Sequence, residues 1–113
     1  MNKIMLLGRL VKDVELRYTP ADEPKESVAI AKYTLAVNRP YKREGEQEAD
    51  FIPVIVFGRM AEFAEKYFKK GQQICVVGRL QIRHYDDENE NRHYFTEVIA
   101  EEQHFADSKK EIS

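Results

Sequence analysis

Arg59–Lys70, RMAEFAEKYFKK, is the segment on which the architecture turns. Met60, Phe63, Ala64, Tyr67 and Phe68 recur at helical spacing and predict one buried face. Lys69 and Lys70 suit the negative end of a helix. Roughly three turns are too few for a separate layer, so this helix should plug something. On both sides of it the apolar residues alternate with a period of two, the mark of half-buried strands. Upstream lie Lys3–Lys12 (KIMLLGRLVK), Val28–Val37 (VAIAKYTLAV) and Phe51–Phe57 (FIPVIVF); downstream lie Gln72–Tyr85 and Arg92–Ala100. In the fourth run Ile74, Val76, Leu80 and Ile82 fall on one side, with Arg79, Gln81, Arg83 and Tyr85 on the other.

Between these runs the chain is polar. Tyr18–Ser27 carries Pro20 and Pro24 and predicts a loop. Lys42–Ala49 reads as a hairpin tip and Asp86–Asn91 as a turn. Pro53 is an oddity within its strand, since proline cannot donate to a ladder. Gly8 and Gly78 sit inside long strands, where a sheet must bend sharply. Three strands, a short helix and two more strands describe an all-β fold, the five-stranded Greek-key barrel called the OB-fold, with the helix between strands three and four. The barrel domain is expected over residues 1–105, and 106–113 (ADSKKEIS) as a short disordered tail.

A chain of 113 residues, 42% apolar and 34% charged, suits one soluble domain. No apolar stretch approaches the roughly 18 residues of a membrane span, and no secretory signal is visible. Cys75 is the only cysteine, which excludes a disulfide scaffold and fits a reducing cytoplasm. The net charge of −2 hides an asymmetry. Residues 51–85 hold six basic and two acidic groups, a net of +4, whereas 86–113 hold three and nine, a net of −6. Binding responds to that local field rather than to the total.

Catalytic constellations are poor. His84, His93 and His104 share no metal-ligand spacing, and no phosphate loop or nucleophile elbow occurs. No enzyme, metal or cofactor is therefore expected. Single-stranded nucleic acid, by contrast, needs cations along its backbone and flat rings for its bases. Tyr41 stands at a loop mouth beside Arg39, Lys42 and Arg43, and Tyr85 at another beside Arg83 and His84. Phe51 and Phe57 share one face of their strand, with Arg59 just beyond. Tyr18, Tyr33, Phe63, Tyr67, Phe68 and Phe95 are assigned to core or interface. Two rival readings stay open: an OB-fold adaptor working through protein contacts, and a small hydrolase using the acidic turns.

The chain also resembles the bacterial single-stranded DNA-binding protein family from Asn2 to about Ala100. The matching stretches are Asn2–Leu10 (NKIMLLGRL), Glu15–Pro20 (ELRYTP), Thr34–Asn38 (TLAVN), Glu48–Phe51 (EADF), Val56–Glu62 (VFGRMAE), Tyr67–Gly71 (YFKKG), Gly78–Tyr85 (GRLQIRHY) and Thr96–Val98 (TEV). The resemblance implies an OB-fold that coats single-stranded DNA in replication, repair and recombination, as a homotetramer or, alternatively, a dimer. It implies stacking by Tyr41, Phe51, Phe57 and Tyr85, and backbone contacts from Arg17, Arg59, Lys70 and Arg83, with Thr34 on the same face. It further implies pairing of the first strand with its counterpart across a two-fold axis, placing Lys3, Met5 and Leu7 at the interface. Many relatives carry tryptophan at three of the aromatic positions; this chain has none, so the same mode is expected with smaller rings. Relatives commonly continue into an acidic-hydrophobic tip that recruits other proteins. This sequence stops at Ser113 in KKEIS, so tip-dependent partners are not expected of it. The implied setting is the bacterial cytoplasm at the nucleoid, with a phage or mobile element as an alternative source.

Overall fold

The structure is a computed structural model that describes residues 1–20, 26–41, 44–45 and 48–107. Its strands are β1 (Ile4–Leu10), β2 (Glu15–Tyr18), β3 (Ala29–Asn38), β4 (Ala49–Phe57), β5 (Gln73–Asp86) and β6 (Arg92–Phe105), with α1 (Arg59–Tyr67) between β4 and β5. Five of them close into a ring. β1 pairs antiparallel with β5, β5 with β6, and β4 with β3; β6 lies parallel to β4 at Val54↔Val98 and Ile55↔Ile99. Closure comes from Arg9↔Ala36 and Leu10↔Leu35, which return β1 to β3. That order is the Greek-key barrel of the OB-fold, with the helix after the third ring strand, as the sequence predicts.

The alternation of β3 and β4 turns Ala31, Tyr33, Leu35, Val54 and Val56 inward, where they meet Leu10, Ile74, Val76 and Val98. Two features of the backbone explain apparent oddities in the sequence. Val11 N–H donates to the Thr34 carbonyl, so Thr34 points its backbone groups toward β1 and away from its β4 partner, Pro53. Pro53 therefore sits at a non-hydrogen-bonded position, where its missing N–H costs no bond to β3. Gly78 lies at a register shift between β5 and β6, and a Cβ there would stand 2.1 Å from the Ile99 carbonyl oxygen. Only glycine permits that approach, which bends the long β5–β6 ribbon around the barrel.

Two expectations need correction. β2 was not anticipated: it pairs Glu15–Tyr18 with Ala29–Lys32, occupying the part of the β3 edge that β1 leaves uncovered. The helix ends at Tyr67, and the residues it buries are Ala61, Ala64 and, just past its end, Phe68, while Phe63 and Tyr67 stay substantially exposed. Small alanines let the helix lie close over the barrel mouth; the larger rings are displaced to its flank. Phe68 is the plug, edge-on to Tyr33 with centroids 6.0 Å apart. The Tyr33 hydroxyl donates to Gln103 Oε1 at 2.8 Å, and Gln103 Nε2 donates to the Met60 carbonyl at 2.7 Å, tying barrel interior to helix. Burial pushes the Tyr33 hydroxyl pKa well up, so the donor stays protonated. Leu80 and Ile82, on the same strand as buried Ile74 and Val76, are exposed, because β5 and β6 run on past the barrel as a two-stranded arm.

Of the final segment, Ala106 and Asp107 are hydrogen-bonded to the sheet: Ala106 N–H donates to the Gln73 carbonyl, and Asp107 accepts from Gln73 N–H and Arg9. Residues 108–113 lie outside the described residues, as does Lys42.

Candidate nucleic-acid interface

The outward residues of five strands make one continuous face. On β4 these are Phe51, Pro53, Ile55 and Phe57, and their β3 partners are Ala36, Thr34, Lys32 and Ile30. β2 adds Glu15 and Arg17 beyond Lys32 and Ile30. On the other side Ile55 neighbours Ile99, and the register carries the face on through Arg79, Gln81 and Glu97, Arg83 and Phe95, then Tyr85 and His93. An open groove of about 590 Å³ runs across it, lined by Arg17, Lys32, Ile55, Phe57, Gln81, Arg83, Glu97 and Ile99 among others.

Strand alternation thus brings Arg17, Thr34, Phe51, Phe57, Arg83 and Tyr85 onto one face. Phe51 and Phe57 are both exposed although apolar, and their six-residue separation spaces them by roughly 20 Å. Tyr41, three residues beyond β3, is 89% exposed. The remaining predicted residues stand elsewhere. Arg59 opens α1 and faces a separate small hollow with Met60, Phe63 and Gln103. Lys70 follows the helix, and its N–H donates to Asp13 Oδ1 at 3.1 Å. Neither lines the groove.

The two remaining arginines are not bare cations. Arg39 makes a two-pronged bond to Asp50, with Nη2 2.8 Å from Oδ1 and Nε 3.1 Å from Oδ2, and this bond holds the Asp50 carboxyl below its usual range. Arg83 is paired the same way with Glu97, Nε to Oε1 at 2.8 Å and Nη2 to Oε2 at 3.0 Å. In contrast, Arg17 and Lys32 make no ion pair among the described residues and supply the groove's uncompensated positive charge. Lys32 is a functional candidate that the sequence reading missed. Its signal was available, since it shares the period-2 parity of Thr34.

Phe95 is expected in core or interface. It is exposed on the groove side of the β5–β6 arm rather than in the core. Tyr85 stacks on it with centroids 5.5 Å apart and 16° between planes, and on His93 at 4.9 Å and 17°. The Arg83 guanidinium lies over the Phe95 ring, 5.0 Å from its centroid. His93, Tyr85, Phe95 and Arg83 therefore form a four-member stack. Asp87 at the arm's tip binds His93 Nε2 at 2.8 Å and accepts from the backbone of Asn89 and Asn91. The His93 bond, aided by those amides, holds the Asp87 carboxyl below its usual range.

An exposed aromatic strand beside unpaired cations, on the face of an OB barrel, is the arrangement that oligonucleotide binders use. Residues 1–106 match the single-strand binding protein family. The chain belongs to that family. It is 50% identical to single-stranded DNA-binding protein 3 of Clostridium acetobutylicum over 105 residues, 93% of this chain and 70% of that protein. With single-stranded DNA-binding protein 2 of the same organism it shares 48% identity over 111 residues, 98% of this chain and 80% of the other. Single-stranded DNA-binding protein 1 of Streptococcus pyogenes is 48% identical over 102 residues, 89% of this chain and 75% of that protein. Family membership agrees with the barrel order and places the chain among binding proteins rather than enzymes.

Proposed function

We propose that this protein binds single-stranded DNA without regard to sequence and without catalysis, coating it during replication, repair and recombination. The observation that carries the reading is the β3–β4 face, where exposed Phe51 and Phe57 share one side with a groove holding unpaired Arg17 and Lys32. Bases stack on Phe51, Phe57 and Tyr41, and the cations follow the phosphates. Every base offers a π-face, so stacking discriminates little between sequences. The shared phosphate term makes affinity fall as salt rises.

Assembly into a homodimer or homotetramer completes the reading. β1 pairs with β3 only at Arg9 and Leu10, so the edge of Ile4–Leu7 is open, and Met5 there is 73% exposed with Leu7 also in solvent. A second copy covers such an edge by strand pairing. Lys3 at its start is ion-paired to Glu101 of its own chain. Leu80, Ile82 and Tyr94 form a second exposed apolar strip on the back of the β5–β6 arm, suited to joining two dimers. Among the described residues no helix is long and apolar enough to cross a membrane.

Native mass spectrometry with dT oligomers tests binding and assembly together. The expected species is a dimer or tetramer that takes up oligomer, with double-stranded competitor failing to displace it. A monomer that ignores dT while other proteins co-purify in fixed ratio would favour the adaptor reading.

A further inference from the structure

Glu97 is the only charged side chain buried among the described residues, 3% exposed, and it sits in the floor of the groove. A carboxylate there opposes a polyanion unless it is neutralised. Its neutraliser is Arg83, whose own side chain remains 56% exposed. The pairing has two consequences. It cancels the arginine's charge and uses two of its five N–H donors. It also fixes the guanidinium over Phe95, the last ring of the His93–Tyr85–Phe95 stack. The inner faces of that stack are already filled by one another. Its end within the groove is Arg83, because His93 does not line the groove.

We propose that Glu97 is a positioning residue, which holds Arg83 over Phe95 so that the guanidinium meets DNA as a planar stacking surface for a base and not as a phosphate-binding cation. Bases stack on guanidinium planes as they do on aromatic rings. This rests on the DNA-binding reading above and reassigns Arg83 within it.

The slope of log affinity against log salt separates the two roles, since each phosphate neutralised on a single strand contributes about −0.7. Binding of a dT oligomer between roughly 50 and 200 mM salt is compared for the wild-type chain, Arg17→Gln, Glu97→Gln and the double variant Arg83→Gln/Glu97→Gln. Circular dichroism confirms that each is folded. Arg17→Gln removes an unpaired groove cation and sets the scale, a slope shallower by about 0.7. The double variant keeps two planar groups and removes two opposite charges. It is expected to weaken binding several-fold at every salt concentration with an unchanged slope. Glu97→Gln releases the guanidinium charge and should steepen the slope by about 0.7. A double variant as shallow as Arg17→Gln, or a Glu97→Gln variant that melts lower with an unaltered slope, overturns the proposal while leaving DNA binding intact. Wild-type protein that fails to bind the oligomer overturns both readings.

Discussion

Replacing Tyr41, Phe51 and Phe57 together by alanine is expected to weaken oligo-dT binding by at least ~100-fold and to leave the barrel folded. Each stacked base contributes about 1–3 kcal/mol by alanine substitution, so three platforms sum to at least ~3 kcal/mol, and 1.4 kcal/mol is a factor of ten. All three side chains are exposed, which removes the usual cost of opening a cavity. The matched control is Tyr67→Ala. Tyr67 is an aromatic ring as exposed as Phe57, but it lies on the helix flank against Phe63. Fluorescence anisotropy of labelled dT should register no change for the control. Equal losses in both would mean that the β3–β4 face has no special part in binding.

Phe68→Ala should give the largest loss of stability of any single helix-side substitution. The ring is fully buried and contacts Tyr33, Phe63 and Phe105. Deleting a buried phenyl group costs about 3–5 kcal/mol through lost transfer energy and the cavity left behind. For a domain of this size that corresponds to a melting temperature lower by roughly 10–25 °C. Phe63→Ala, on the exposed flank, should shift it by only a few degrees. The comparison belongs at one fixed protein concentration, because assembly makes melting concentration-dependent. Similar shifts for the two variants would return Phe63 to the core and contradict the helix orientation.

That contrast shows what periodicity conveys and where it stops. The 3.6-residue repeat in Arg59–Lys70 locates the helix, and period 2 locates the ring strands, because both follow from local backbone geometry. Which stripe of the helix faces inward depends on how closely it approaches the barrel, and Ala61 and Ala64 decided that against the larger rings. β2 escaped notice for a related reason. Four residues, ELRY, carry too little alternation, and their strand conformation comes from pairing with β3.

The site followed the same division. Strand parity put Phe51, Phe57, Arg83 and Tyr85 on one face correctly, since parity is a local property. Charge compensation is not. Arg39 and Asp50 are eleven residues apart, and Arg83 and Glu97 fourteen; only the antiparallel registers bring them together. A count of arginines therefore overstated the available positive charge, and the unpaired Lys32 was passed over. Phe95 is assigned to core or interface because an aromatic in an apolar strand usually belongs there. The arm's projection beyond the barrel, set by the Gly78 bend, leaves it in solvent instead.

Photocrosslinking with a dT oligomer carrying 5-iodouracil, read residue by residue by mass spectrometry, tests most directly whether bases lie on the β3–β4 face and the adjoining arm. Adducts are predicted at Tyr41, Phe51 and Phe57, all in solvent, the last lining the groove. Adducts confined to Tyr18, Phe63, Tyr67, Tyr94 and Phe105, the exposed rings outside that face, would contradict it.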